Sequence, residues 1–194
     1  SQEAIVKTQD FKRASFRVNL DHDINKKVTL STSSSLSWTR RSLSQIANSP
    51  KGILQVSVHH STLLNPFNED GSYARYGIFD NIYAIIENSD HHTYGLRTVD
   101  NVNLTWKILK GLRFKSSYSV DYNNYREKRY YNTNLAEGQP NGSATEANAQ
   151  NYTLTAEQLL NFNRDFGTVH SLAAFIGNSV QYTGLHTQTI TGSG

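Results

Sequence analysis

The sequence predicts an all-β chain built from antiparallel hairpins. Three observations carry that prediction. Polar and apolar residues alternate with a period of two through three long stretches, residues 11–38, 97–122 and 151–181. Each stretch is broken once by a short turn signal. The stretches are separated by long polar connections, residues 39–96 and 123–150.

In the first hairpin, Phe16, Val18 and Leu20 alternate, and a polar turn follows around residues 21–27. Val28, Leu30, Thr32, Ser34, Leu36 and Trp38 then share one face against Thr29, Ser31, Ser33, Ser35 and Ser37. In the second hairpin, Val102, Leu104, Trp106 and Ile108 form an apolar stripe, and Lys110-Gly111 turns the chain. Leu112, Phe114, Ser116, Tyr118, Val120 and Tyr122 carry the stripe back, with Arg113, Lys115, Ser117, Ser119 and Asp121 on the other face. In the third, Leu154, Ala156, Leu160 and Phe162 alternate, and Gln158 breaks the stripe. "NRDFG" makes the turn with Gly167, a residue suited to positive φ. Leu172, Ala174 and Ile176 then run against Ser171, Ala173 and Phe175. "TAEQLLNF" has a helix-like look, but its flanking turns favour a strand.

The connections differ. Residues 123–150 hold "EGQPNGSATEANAQN", a loop rich in Gly, Pro and Asn. Residues 39–96 hold the turn signals Asn65-Pro66 and Asp70-Gly71 and two apolar pieces, "GILQVSVHHSTLL" and "IFDNIYAIIEN", readable as short helices or strands.

Composition narrows the class. Of 194 residues, 37% are hydrophobic and 18% charged, with 11 Tyr and 8 Phe. That profile suits a β-protein with long polar loops better than disorder, which is poor in aromatics. Cys is absent, which excludes a disulfide framework, thiolate metal sites and a Cys nucleophile. The net charge of +3 comes from scattered Lys and Arg, whereas a nucleic-acid binder concentrates them, so no nucleic-acid partner is expected. Met is absent even at position 1, and no signal peptide opens the sequence; a processed chain or an excised piece is expected. No apolar run is long enough for a transmembrane helix. A barrel strand needs only about 10 alternating residues.

Short turns at one strand end and long loops at the other suit an outer-membrane barrel. Thin apolar faces interrupted by Thr, Ser and Ala suit lipid better than a close-packed core. Trp38, Trp106, Tyr118 and Tyr122 could sit at a membrane interface, although aromatics also pair across strands in any sheet. From periodicity alone, a barrel and a soluble β-sandwich stand level.

Four stretches, in order, carry a likeness that covers nearly the whole chain. They are "FKRASFRVNLDHDINKKVTLSTSSSLSW", "NPFNEDGSY", "NVNLTWKILKGLRFKSSYSVDYNNY" and "LLNFNRDFGTVHSLAAFIGNSVQ" with its H-x-L-x-A-x-x-G pattern. No one of them is specific, but together they resemble the SusC/RagA family of TonB-dependent outer-membrane transporters. The resemblance implies about six strands of a barrel of about 22, without the family's plug domain and TonB box. It implies residence in the outer membrane, contact with outer-membrane lipid, energy from TonB, and a SusD-like surface lipoprotein as partner. The implied ligand is an oligosaccharide or a peptide. Ile82 departs from the family, which often has proline there. On the barrel reading, Val102, Leu104, Trp106 and Ile108 face lipid, and Asn103, Thr105 and Lys107 face the wet interior. The alternatives are a soluble β-sandwich that binds glycans and an adhesin-like surface β-protein.

Chemistry is weakly signalled. His59-His60 and His91-His92 look like metal ligands, but neighbours on a strand point to opposite faces, so no metal site is expected. No Gly-x-Ser-x-Gly elbow or Gly-rich phosphate loop is present, and Glu69-Asp70 lack the spacing of a glycosidase pair. "NGS", "NLT" and "NYT" match glycosylation sequons, which matter only in a eukaryotic secretory protein. No catalytic residue and no cofactor is expected, and the chain is read as no enzyme. The loop aromatics are the candidates for ligand contact: Tyr73, Tyr76, Phe79, Tyr83 and Tyr94 in the first connection, and Tyr125, Tyr130 and Tyr131 in the second, beside Arg126, Lys128 and Arg129. Tyr offers a flat apolar ring with a polar tip, suited to sugars and peptides. The plainer alternative is that these rings pack the loops together.

Overall fold

The computed structural model describes residues 2–3, 9–43, 52–59, 63, 65–75 and 77–194. The described strands form one antiparallel sheet in simple sequence order. A two-residue strand, β1 (Gln2–Glu3), starts it. Six long strands follow: β2 (Asp10–Asn25), β3 (Val28–Ser42), β4 (Ser89–Leu109), β5 (Leu112–Tyr131), β6 (Ser143–Phe166) and β7 (His170–Gly192). Among the described residues no second sheet packs on this one, so the sandwich alternative lacks its second layer. No described helix is long and apolar enough to cross a membrane, which says nothing of strands.

Register makes the two faces explicit. On one face, Val28, Trp106, Phe114, Leu160 and Ile176 lie side by side across β3 to β7. Four residues further along the strands, Leu20, Thr32, Val102, Tyr118, Ala156 and Val180 form a parallel row across six strands. One residue beyond the second row, pointing the other way, run Asn19, Ser33, Asn101, Ser119, Thr155 and Gln181. The sheet thus has one apolar and one polar face. The polar exceptions on the apolar face keep company: Asp100 accepts from the hydroxyls of Ser34 and Thr98 (2.8 Å for Thr98), and Ser116, Gln158 and Asn178 are neighbours.

The tight turns all lie at one end. Asn25 closes the first, its Oδ1 accepting from the N–H groups of Lys27 (2.8 Å) and Val28 (3.0 Å). Lys110-Gly111 closes the second, with Gly111 at φ 88°. A side chain there is barred twice, since its Cβ would also stand 2.5 Å from the carbonyl oxygen of Asn163. The pairing slips between Lys107 and Leu109, so Ile108 sits in a bulge. The expected lipid-facing stripe therefore holds its register at Val102, Leu104 and Trp106 and loses it at Ile108.

The strands run further than the apolar alternation shows. Of the expected connections, residues 39–42, 89–96, 123–131 and 143–150 are strand, which leaves residues 43–88 and 132–142. Each of the two apolar pieces of the first connection holds a helix, α1 (Ile53–His59) and α2 (Ile82–Asn88). The buried core sits here, off the sheet. Ile53, Val56, Ala84, Ile85 and Leu135 are buried together, with Tyr73, Phe79, Ile82, Ile86 and Tyr131 packed around them. Residue 82, where proline is missing, is the first residue of α2. Proline is favoured at such a position because its missing N–H would have no helical partner.

Candidate functional site

At the loop end of the strands, the two connections fold onto each other as a cap. It begins with a small hairpin. Phe67 and Tyr73 pair in an isolated bridge, and Asn68 N–H donates to the Ser72 carbonyl at 2.8 Å. Asp70 Oδ1 accepts from the Ser72 hydroxyl (2.6 Å) and from the Ser72 N–H (2.9 Å). The Ser72 hydroxyl, then its N–H, holds the Asp70 carboxyl below its ordinary pKa.

Asn81 pins this hairpin down. Its Oδ1 caps α2 by accepting from the N–H groups of Tyr83 (2.8 Å) and Ala84 (3.4 Å). Its amide donates to the carbonyls of Pro66 (2.6 Å) and Ala74 (3.0 Å), one at each end of the hairpin. Asn81 is only 2% exposed, and its side chain is satisfied on both sides.

Asp80 ties the two connections together. It is 4% exposed, accepts from the Ala136 N–H at 3.1 Å, and pairs with Arg75 at 3.2 Å. Arg75 also donates to the Asn134 carbonyl at 3.2 Å, and Asn134 donates to Asn88 at 2.9 Å. Tyr73 donates its hydroxyl to Glu87 at 2.6 Å and accepts from Asn88 at 3.2 Å. The hydrogen bond to Glu87, which favours the protonated phenol, raises the Tyr73 pKa. Neither Asp80 nor Asn81 stood out in the sequence. The available signal was Asn before an apolar helical run, a cap pattern.

The expected ligand-contact aromatics divide by position. Tyr73, Phe79 and Tyr131 pack against the cap core, and Phe79 stacks on His59 at 5.1 Å. Tyr83 is 44% exposed and lies beside Phe67, ring centres 5.4 Å apart. Tyr125 is 41% exposed and shares the polar face with Arg13, Thr39 and Gly95. Tyr94 and Tyr130 are on the other face, in register with Arg126 and Asp90. Tyr76 lies outside the described residues, as does His60.

His91 and His92 point to opposite faces. His91 meets Glu127 and His92 meets Asp90, both at 2.7 Å. Among the described residues no three His, Cys, Asp or Glu side chains gather as a metal site would require.

On the polar face, Arg13 donates to Ser15 and Ser37 and Arg41 lies over the Phe11 ring, while Arg97 and Arg129 have carboxylates. Arg97 makes a forked contact with Asp121 (3.0 and 2.6 Å), and Arg129 reaches Glu127 at 3.2 Å. Toward the tight turns, Lys107 and Arg113 stand opposite each other in register, and neither has an ion-pair partner among the described residues.

On the apolar face, about 10 residues of strand beyond the turns, rising about 3.3 Å each and tilted about 40°, span about 25 Å. Trp38, Tyr122, Tyr152 and Tyr182 lie near the far edge of that band. Beyond it the same face carries Lys12, Arg40, Arg126, Lys128 and Glu146. An apolar band that ends in aromatics and then charge is the profile of a strand wall leaving lipid. Solved structures bear the same wall. Structures of the RagAB peptide importer match this chain over 95% of its length, with TM-scores of 0.70 in the "closed-closed" state and 0.71 in the "open-open" state, each at 19% identity. A further structure of the RagAB peptide transporter matches at TM-score 0.73 and 18% identity.

The fold is that of a SusC/RagA barrel segment. The chain spans 22% of the length of the chains it matches. No protein-family model matches the sequence, and no curated protein matches it.

Proposed function

We propose that the chain is a wall segment of a TonB-dependent outer-membrane importer, working as part of a longer protein. The observation that supports this best is the sheet's two-sidedness, continuous in register across β2 to β7, with an apolar band about 25 Å tall on one face and small polar side chains on the other. In this reading Val102, Leu104 and Trp106 meet outer-membrane lipid. The wall performs no chemistry, and its task is selective passage powered through TonB.

The cap is the part that meets cargo or a SusD-like surface lipoprotein. Tyr83 and Tyr125 are the favoured contacts, since their rings are open. Tyr73, Phe79 and Tyr131 serve the cap itself. A peptide is the preferred cargo over an oligosaccharide, because the matched structures are of a peptide importer.

Fractionation tests the reading. An antibody against this chain should detect a heat-modifiable band several times larger than 21.8 kDa in the outer-membrane fraction of the source cells. A band near 21.8 kDa in a soluble fraction would sink it.

A further inference from the structure

We infer that Lys12, Arg40, Tyr94 and Arg126, on the lipid side of the wall, hold the phosphate of a membrane glycolipid, with Arg40 at the centre. The inference rests on the barrel-wall reading above. Its first support is position. Register sets Lys12, Arg40, Tyr94, Arg126, Asn148 and Gln188 side by side across β2 to β7, on the face that carries Val102 and Trp106. Arg40 follows Trp38 by two residues on that face. Two strand residues, tilted about 40°, rise about 5 Å. A headgroup layer reaches roughly 5–7 Å beyond the hydrocarbon on each side, so Arg40 stands at headgroup depth. The long loops of such a barrel face outward, which makes these the headgroups of the outer leaflet.

The second support is a cation without an acid. Lys12 and Arg40 stand directly opposite each other, a pairing of like charges that destabilises a sheet. Lys12 has Asp10 at 3.6 Å, and Arg126 shares Glu146 with Lys128. Arg40 pairs with no carboxylate among the described residues. Its Nε is shielded from water and has no hydrogen-bond partner among them. A shielded, unpaired guanidinium nitrogen costs free energy until an acceptor reaches it. The planar fork of arginine matches a phosphate, and a lysine beside it adds a point charge.

The rest of the row decides the kind of lipid. Asn148 and Gln188 continue it as amides, and Asn148 Oδ1 is likewise shielded with no donor among the described residues. Amides and the Tyr94 ring suit the hydroxyls and flat faces of sugars. Further from the apolar band, on the same face, an open hollow of about 370 Å³ is lined by Asp90, Lys128, Tyr130, Glu146 and Ile190 and leaves room for a sugar ring. A glycerophospholipid would bring a phosphate and leave the amides and the hollow unused. A phosphorylated glycolipid meets all three.

The test uses the full-length protein that carries this sequence, reconstituted in phosphatidylethanolamine nanodiscs that contain phosphorylated lipid A. A second set contains the same lipid A with its phosphates removed. Native mass spectrometry reads the lipid that stays on the protein after transfer to detergent. Heat-modifiable migration on gels is read first for every variant. If the unaltered protein lacks it, the barrel-wall reading falls and this inference with it. With normal migration, the unaltered protein should retain phosphorylated lipid A, and Arg40→Glu should lower the retained fraction about tenfold. Arg41→Glu, one residue on and on the opposite face, should leave it unchanged. Where Arg40→Glu fails to insert, Arg40→Gln carries the comparison, with a loss of about threefold expected. Four results overturn the inference alone: no lipid A retained, the dephosphorylated form retained equally, phosphatidylethanolamine retained in its place, or a retained fraction that does not fall more for the Arg40 variant than for Arg41→Glu.

Discussion

The carboxylate of Asp80 in the first connection accepts the backbone N–H of Ala136 in the second, at 3.1 Å, while holding Arg75 at 3.2 Å. One buried acid therefore fastens two loops that are distant in sequence. Asp80→Ala leaves the Ala136 N–H unpaired and Arg75 without its acid, at a cost of about 2–3 kcal/mol to the cap. Asp80→Asn keeps an acceptor and should cost less. The sheet does not use this contact, so the damage should be local. Hydrogen exchange in the full-length protein should show faster exchange at residues 65–88 and 132–138 with the strands unchanged. Uniform loss of protection would contradict a local role.

The small hairpin at residues 67–73 should loosen in acid. Its Asp70 carboxyl is held below the ordinary carboxylate pKa by Ser72. A group with a depressed folded pKa gives its stabilisation above its unfolded value, and loses it as pH falls through the folded one. The hairpin should be intact at neutral pH and open below the usual carboxylate range. Ser72→Ala removes the hydroxyl donor and keeps the N–H, so it should shrink the difference. Protease nicking near Gly71, measured across pH with an acid-stable protease, reads this out; a pH-independent rate would refute it.

Much of the sheet was legible because strands with one apolar and one polar face keep the period-two signal. Val102, Leu104 and Trp106 alternate with Asn103 and Thr105, and a one-residue slip would reverse them. Ile108 continues that pattern in sequence, yet the bulge takes it out of register. Residues 123–131 and 143–150 were hidden for the opposite reason. Beyond the band both faces meet water, so Arg126 and Lys128 on one side and Glu127 and Arg129 on the other leave no hydrophobic period. The cap was legible as turn signals and apolar pieces. Its rivets were not, since Asp80 and Asn81 act through partners such as Ala136 and Pro66 that only the folded chain brings near.

A pair of charge insertions separates the two faces. Val102→Arg places a cation among Thr32, Tyr118 and Leu104 on the apolar face. Near the middle of a bilayer this should cost about 2–4 kcal/mol. Asn103→Arg, one residue on, enters the polar row beside Ser31 and Ser117 and should change stability little. Urea unfolding of the full-length protein in liposomes should show a lower midpoint for the first variant and a near-native one for the second. Equal effects would mean that the faces do not differ in their surroundings.

Two glycines of β7 make a sharper comparison, because each lies close to a neighbour of a different kind. At Gly184 an added Cβ would stand 2.3 Å from the Tyr152 ring, at the outer end of a side chain that can swing aside. That ring also packs near Tyr182, centres 5.8 Å apart, so moving it forfeits part of an aromatic contact. Gly184→Ala should cost about 1 kcal/mol. At Gly177 the added Cβ would stand 2.7 Å from the backbone carbonyl oxygen of Gln158, with a Leu159 methyl at 3.0 Å. Strand β6 is bonded to β5 and β7 on both sides there, so the carbonyl cannot retreat without disturbing two ladders. Gly177→Ala should cost about 2–3 kcal/mol and slow barrel assembly, seen as a smaller heat-modifiable fraction soon after synthesis. If Gly184→Ala proved the more damaging, the Tyr152 ring would be held rigidly in place and the ranking argued from backbone contact would fail.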